Sequence, residues 1–373
     1  MDVPFLDLAA QSAEIADEVL PVWQAQFMSA GFIGGLEVSA FERDYAEYIG
    51  VDHVVGVANG TDALELAYRA AGLGPGDEVI MPVNTFIATA EPATRIGAVP
   101  VFVDVDEHLL IDVPSVEAAI TPRSRAIVPV HLYGQTAAVE DLAPIAEKHG
   151  LVIIEDAAQS QGASSTAGGA GTLARIAATS FYPGKNLGAA GDGGAVLTDD
   201  PAAAEFVRSY ASHGSTVKYV HNRAGTNSRL DAIQASMLRA KLRRLEGWNE
   251  ARREAAVRYS ALLGDLSGVQ LPVTRPGNSD VWHLYVVQVD HRDGVLKELN
   301  ESGIGAAIHY PYPLHLTPAY EHLGYRQGEF PTAETAATRI LSLPMFPHLD
   351  EARQVRVADA LARAVDALAV RGT

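Results

Sequence analysis

A series of short apolar runs, each ending on polar residues and separated by helix-like sequence, limits the fold more than any other feature. Residues 54–57 run into Asn59-Gly60-Thr61-Asp62, 99–103 into Asp104, 126–130 into His131-Leu132-Tyr133-Gly134, and 151–154 into Glu155-Asp156. Residues 79–81 make a shorter run of the same kind. Between the runs, 63–71, 88–96 and 139–149 have helical spacing, and Gly150 is placed to close the last of these as a C-cap. Repeated β-α units with apolar strands imply a mainly parallel sheet covered on both faces. Such α/β folds bind ligands beyond the carboxyl ends of their strands. Asn59 to Asp62, His131, Asp156 and Gln159 are therefore expected to converge at one rim.

One further run, 178–182, ends in Ser180-Phe181-Tyr182 and continues as Pro183-Gly184-Lys185-Asn186-Leu187-Gly188. Lysine is scarce: the others are Lys148, Lys218, Lys241 and Lys297, all in polar or helix-like contexts. A lysine held between apolar and glycine-rich sequence can be partly desolvated, which lowers its pKa and makes it an amine nucleophile. A lysine closing a loop is the plain alternative. A phosphate-binding P-loop would need glycine where Thr179 stands and Ser or Thr where Asn186 stands, so that use is excluded. The G-x-G-x-x-A spelling at 169–174 follows polar sequence rather than a strand, and reads as a flexible surface turn, not a dinucleotide site.

The chain has 373 residues and a formal net charge of −18. Its length allows two lobes, and its acidity argues against nucleic-acid binding. The absence of cysteine removes thiol chemistry and cysteine metal sites and fits a reducing cytoplasm. The start carries acid where a signal peptide carries base, and no apolar run is long enough to cross a membrane. From about Asp231 the pattern changes. Residues 231–260 have long helical periodicity, 284–289 alternate, 295–302 and 350–370 are helix-like. The division expected is a large part, 1–240, and a smaller C-terminal α/β part, 241–373, onto which the N-terminal segment can pack.

Individually the polar residues at the rim have ordinary explanations. Thr61 can be an N-cap, Asp156 a solvated acid at a strand end, Ser180 a satisfied strand hydroxyl, and Phe86 a core side chain. Together they describe more. An amine (Lys185), an acid for a ring nitrogen (Asp156), phosphate donors at a helix start (Thr61, Ser180) and an aromatic lid (Phe86) make a pyridoxal-phosphate site. There the lysine holds the cofactor's aldehyde as a Schiff base, and the acid keeps the ring nitrogen protonated. His309 and His315 lie six apart in a proline-broken loop, with no third ligand at metal-binding spacing. They are expected to line the ligand site or the surface.

Asn59-Gly60-Thr61-Asp62-Ala63-Leu64, Glu155-Asp156-Ala157-Ala158-Gln159, the segment from Ser180 to Gly188, and Gly225-Thr226-Asn227-Ser228-Arg229-Leu230-Asp231 resemble the motifs of the DegT/DnrJ/EryC1/StrS sugar aminotransferases. The likeness runs from Pro4-Phe5-Leu6-Asp7-Leu8 to Leu343-Pro344. It implies the type I aminotransferase fold, a large domain with a mainly parallel central sheet flanked by helices, and a homodimer with shared sites. It implies Lys185 as cofactor-bearing acid/base, Asp156 at the pyridine nitrogen, Gln159 on the ring-hydroxyl side and Phe86 against the ring. Gly60, Thr61 and Ser180 would hold the phosphate, with Asn227 arriving from the other subunit. Lys185 places the chain outside the branch that carries histidine there. The spelling around Lys185 and His309-Tyr310-Pro311-Tyr312-Pro313-Leu314-His315-Leu316 is most similar to members that aminate the 3-keto group of dTDP-deoxyhexoses, a 4-keto substrate being the main rival. Lys218, Tyr219, His221, His309 and Tyr312 are candidates for the nucleotide sugar. L-Glutamate is the expected donor and pyridoxal or pyridoxamine phosphate the cofactor. A cofactor-binding regulator without turnover, and a pyridoxal-phosphate lyase or decarboxylase, are the other readings.

Overall fold

The apolar runs become strands of one sheet in the computed structural model, which describes residues 2–371. Helices α1 (Leu8–Ser29) and α2 (Leu36–Ile49) come before β1 (His53–Val57). Then follow α3 (Gly60–Ala70), β2 (Glu78–Pro82), α4 (Glu91–Arg95), β3 (Val99–Val103), α5 (Val113–Ala119), β4 (Ser124–Ile127), α6 (Val139–His149) and β5 (Val152–Asp156). A tiny hairpin, β6 (Ser164–Ser165) with β7 (Gly168–Gly169), precedes β8 (Ile176–Ser180), β9 (Gly194–Thr198) and α7 (Pro201–Tyr210). A second hairpin, β10 (Ser215–Val217) with β11 (Val220–His221), leads to the long α8 (Ala232–Leu263). The remainder is β12 (Val269–Gln270), β13 (Tyr285–Val289), α9 (Arg292–Glu301), α10 (Pro331–Arg339), β14 (Ile340–Leu343) and α11 (Glu351–Arg371).

The main sheet has the order β1-β9-β8-β5-β4-β2-β3. Only β9 runs against its neighbours; the rest are parallel. Its register pairs Asp156 with Ala178, Ser180 with Gly194, and Gly194 with Val57. The ends of β1 and β8 thus meet at the start of β9. A side chain at Gly194 would stand 2.4 Å from the Asn59 carbonyl oxygen, so only glycine lets α3 begin there. Helix α6 ends as the sequence suggests: Gly150 sits at φ 66° and its N–H donates to the Ala146 and Glu147 carbonyls.

Three readings are corrected. Residues 88–96 are not one helix but a single 3-10 turn, Ile87–Thr89, followed by the short α4, which has a proline in its first turn. The apolar run 126–130 pairs as β4 only to Ile127, and Val130 then bridges to Asp156. The 169–174 segment is no free surface turn. Its Gly171 and Ala174 N–H groups each donate at 2.7 Å to the Glu155 carboxylate, which is fully buried, and Ala170 packs on Ala163 and Val281.

One apolar cluster lies between the sheet and the helices around α3, including Leu64, Leu66, Tyr68, Met81, Phe102 and Val128. A second joins Tyr285, Val287, Leu341 and Leu343 of the three-stranded antiparallel sheet β12-β13-β14 to Val295 and Leu361. Val3 belongs to this second cluster and bridges to Ile304. Helix α8 serves two clusters. Leu238, Leu242 and Leu245 pack with Phe41 and Phe181, whereas Ala255, Tyr259 and Leu263 enter the second cluster.

Candidate active site

The carboxyl ends of the strands open into a cavity of about 600 Å³ lined by Gly60, Thr61, Phe86, Asp156, Gln159, Ser180, Lys185 and His309, together with Thr89, His283 and Tyr310. Its floor is Asp156. The carboxylate is buried and accepts a hydrogen bond from Thr89 Oγ1 at 2.7 Å and one from the Ala158 N–H at 3.2 Å. Burial pushes its pKa up; the Thr89 and Ala158 donors and the nearby Lys185 charge work against that. Thr89 is itself held, its hydroxyl 2.8 Å from that of Thr85 and its carbonyl accepting from Tyr68.

Lys185 comes from the turn after β8. Its backbone N–H donates to Tyr182 O, and the Ala189 N–H donates to Phe181 O, each at 2.8 Å. Buried Phe181 and Leu187 anchor the turn in the core. Desolvation brings the Lys185 amine down from the usual lysine range to about 8, with Asp156 pulling the other way. The amine therefore titrates close to the physiological range, where a usable fraction is neutral, as a nucleophile or proton carrier requires.

The side wall is an anion cradle. Helix α3 is capped by Asn59, whose side chain accepts from the Asp62 N–H at 2.8 Å, so the cap is Asn59 and not Thr61. Gly60 and Thr61, in the first turn, where helix N–H groups have no partner within the helix, line the cavity beside Ser180. A Cβ on Gly60 would lie 2.6 Å from Ser180 Cβ. Gly60→Ala is accordingly expected to push α3 from β8 and weaken cofactor retention about tenfold or more, at a stability cost of roughly 1–3 kcal/mol. Equilibrium dialysis of the cofactor and urea unfolding measure the two effects.

Gln159 faces the cavity with both ends engaged: its Oε1 accepts from the Tyr133 N–H at 2.7 Å, and its Nε2 donates to the Tyr310 hydroxyl at 3.2 Å. Phe86 is 52% exposed and leans on Tyr310, ring centroids 5.5 Å apart. His309 stacks on Phe5, and its Nδ1 lies 2.8 Å from Ser342 Oγ. Burial and the Lys185 charge lower its pKa to about 4.

Other expected site residues lie elsewhere. His131 does not reach the rim. It is fully buried, accepts the Ala137 N–H on Nδ1 and so donates from Nε2 to Glu155, acting as a prop beneath the strand ends. His315 is neither at the site nor on the surface; it is buried between Glu334 and Phe330. Tyr312 is 65% exposed and does not line the cavity. Lys218, Tyr219 and His221 stand out on the β10-β11 hairpin, with Tyr219 81% exposed. Asn227, which bridges to Ser212, is exposed as well. None of these four lines the cavity of its own chain. Among the described residues no cluster of three or more His, Asp or Glu side chains could hold a metal ion. Thr89, His283 and Tyr310 were not singled out from the sequence. Thr89 falls in a run that reads as helix, and the other two precede or follow short apolar runs far along the chain.

The residues present fit pyridoxal phosphate. A helix start that glycine keeps open can take an anion, and a buried carboxylate with donors on both oxygens lines the same cavity with a desolvated amine near it. The DegT/DnrJ/EryC1/StrS aminotransferase family model matches residues 11–362. The erythromycin biosynthesis sensory transduction protein EryC1 of Saccharopolyspora erythraea is 48% identical over 94% of this chain and 96% of its own. The dTDP-3-amino-3,4,6-trideoxy-alpha-D-glucose transaminase of Streptomyces venezuelae is 46% identical over 96% and 95%. The crystal structure of DesV from S. venezuelae superposes with a TM-score of 0.95 at 45% identity, covering 98% of this chain and 99% of that one. With its motifs, its fold and its cavity in agreement, the chain belongs to the DegT/DnrJ/EryC1/StrS aminotransferase family.

Proposed function

We propose that this aminotransferase moves the amino group of L-glutamate to the C-3 keto group of a dTDP-linked deoxy sugar, with Lys185 as its catalytic residue. One observation carries the reading: a desolvated lysine and a buried, hydrogen-bonded aspartate share one cavity with an anion cradle. The cofactor is pyridoxal phosphate, which when bound supplies an electron sink conjugated to the reacting carbon. With it bound, Lys185 Nζ would pass the proton from glutamate's amino-bearing carbon to the cofactor's reacting carbon in one half-reaction, and the reverse way onto the sugar carbon in the other. Asp156 meets a cationic ring N–H at the cavity floor. Gly60, Thr61 and Ser180 hold the phosphate, Gln159 flanks the ring-hydroxyl side, and Phe86 with Tyr310 covers the ring. Substrate position C-3 and the dTDP handle draw support from the name of the S. venezuelae transaminase.

The same reading divides the chain near residue 240, the two parts joined within α8, and pairs two chains as a homodimer. In it the exposed β10-β11 hairpin and Asn227 serve the neighbouring subunit, where Lys218, Tyr219 and His221 meet the sugar's diphosphate and Asn227 the cofactor. A mixture of Lys185→Ala chains with Asn227→Ala/His221→Ala chains, dissociated and re-paired, is expected to recover activity toward about a quarter of wild type. No recovery after confirmed exchange would assign the loop to its own chain. The reading puts the enzyme in the cytoplasm; no described helix is long and apolar enough to cross a membrane.

The decisive experiment incubates holoenzyme with glutamate and a panel of 3-keto and 4-keto dTDP-hexoses and locates the new amine by NMR. Amination at C-3 is the expected result. Conversion of 4-keto substrates alone would move the site of reaction, and no visible-band response to glutamate would favour a regulator.

A further inference from the structure

His283 stands two residues before the start of β13, buried in the wall of the Lys185 cavity. Its Nδ1 lies 3.2 Å from Asn186 Oδ1. The Asn186 amide cannot be turned round, because its Nδ2 already donates at 2.9 Å to both Asn249 Oδ1 and Val281 O. Asn249 is fixed in turn, its Nδ2 donating to Gln161 O at 2.9 Å. Asn186 Oδ1 can therefore only accept, so His283 Nδ1 carries the proton and Nε2 keeps a lone pair. Among the described residues no donor is bonded to that Nε2. A second proton is opposed by burial and by the charges that face the ring, Lys185 and Arg252, with His309 adding to them. Arg252 is itself committed to the Trp282 and Met345 carbonyls. His283 is thus a neutral imidazole that offers one acceptor to whatever enters the cavity.

The visitors differ in what they bring. Glutamate is distinguished by two carboxylates and the cofactor by its phosphate, acceptors that gain nothing from a lone pair, and glutamate's amino group is consumed in the reaction itself. A sugar brings neutral hydroxyl donors. We propose that His283 is a specificity-determining residue whose Nε2 accepts a hydrogen bond from a hydroxyl flanking the keto carbon of the sugar. The assignment rests on the keto-sugar reading above.

The two half-reactions separate its effects. In His283→Leu holoenzyme, kcat/KM for the keto-sugar half-reaction is expected to fall about tenfold or more, while the glutamate half-reaction, followed by the visible band, stays within about twofold. His283→Gln, which can return an acceptor to the same place, should regain part of the loss. A keto sugar lacking the flanking hydroxyl should slow the wild type by a similar factor and His283→Leu no further. The pH profile should keep the same limbs in wild type and variants, since a neutral acceptor does not titrate near pH 6.5. Equal losses in both half-reactions, an unchanged sugar step, or a limb that vanishes in the variants would overturn the assignment. A wild-type enzyme that responds to glutamate but to no keto sugar would overturn the sugar reading itself, and this one with it.

Discussion

Lys185→Ala is expected to lower turnover by about 10⁴-fold or more while the chain still folds. Among the described residues the lysine is the only amine lining the cavity, and the turn that carries it is anchored by Phe181 and Leu187 rather than by its side chain. The phosphate cradle and Asp156 remain in the variant, so cofactor should still bind, now without covalent attachment. Near-normal steady-state rates in purified Lys185→Ala would refute the role. The same residue has a stability signature in cofactor-free protein. Its folded pKa of about 8 lies below the 10.5 of an exposed lysine, so between those values the unfolded chain binds more protons than the folded one. Stability contributed by this group therefore rises as pH climbs through 8, and below 8 the buried charge is a full penalty. Lys185→Met should be more stable than wild type at pH 7, with the gap closing toward pH 10. Lys241, also buried and lowered to about 8, is present in both chains, so the difference between the two urea-unfolding curves isolates Lys185.

Asp156→Asn is expected to cost at least about a hundredfold in kcat, far more than it costs in stability. Thr89 donates to one carboxylate oxygen and the Ala158 N–H to the other. An amide placed there loses one acceptor oxygen whichever way it is turned, and sets an NH₂ in its place. A ring N–H meeting that group would find a donor where it needs an acceptor, and no charge to hold its proton. Thr89→Val removes one of the two donors and should give a smaller loss of the same kind, with Thr89→Ser restoring it. Wild-type kcat in Asp156→Asn would show that this carboxylate is not the ring's partner.

The strand ends were legible because burial on both faces leaves a continuous apolar run that stops where the chain meets the cavity. Residues 99–103 and 139–149 are β3 and α6 without adjustment. Lys185, Asp156, Gly60, Thr61, Ser180, Gln159, Phe86 and His309 line one cavity. What could not be read were contacts set by tertiary packing. Thr89 acts through a hydroxyl in a single 3-10 turn, and no local pattern marks which acid it will meet. His283 matters because Asn186, Asn249 and Gln161, scattered along the chain, fix its tautomer. His131 looked like a rim residue because it follows a strand, but the pairing of Val130 with Asp156 carries the chain below the rim and gives the imidazole to Glu155. The 169–174 turn looked free because its glycines hide the fact that their N–H groups close around that same buried acid.

The 32 residues of α8 run without a break through two apolar clusters, and this makes the helix a shaft rather than a joint. Bending it at residue 240 would break the i to i+4 ladder in a stretch where Leu238 and Leu242 are already packed. A swing of the three-stranded sheet over the cavity would have to unpack one of these two clusters, so the shaft sets a fixed spacing between the sheet and the strand ends. His283, just ahead of β13 in the cavity wall, is thereby held at that spacing from Lys185.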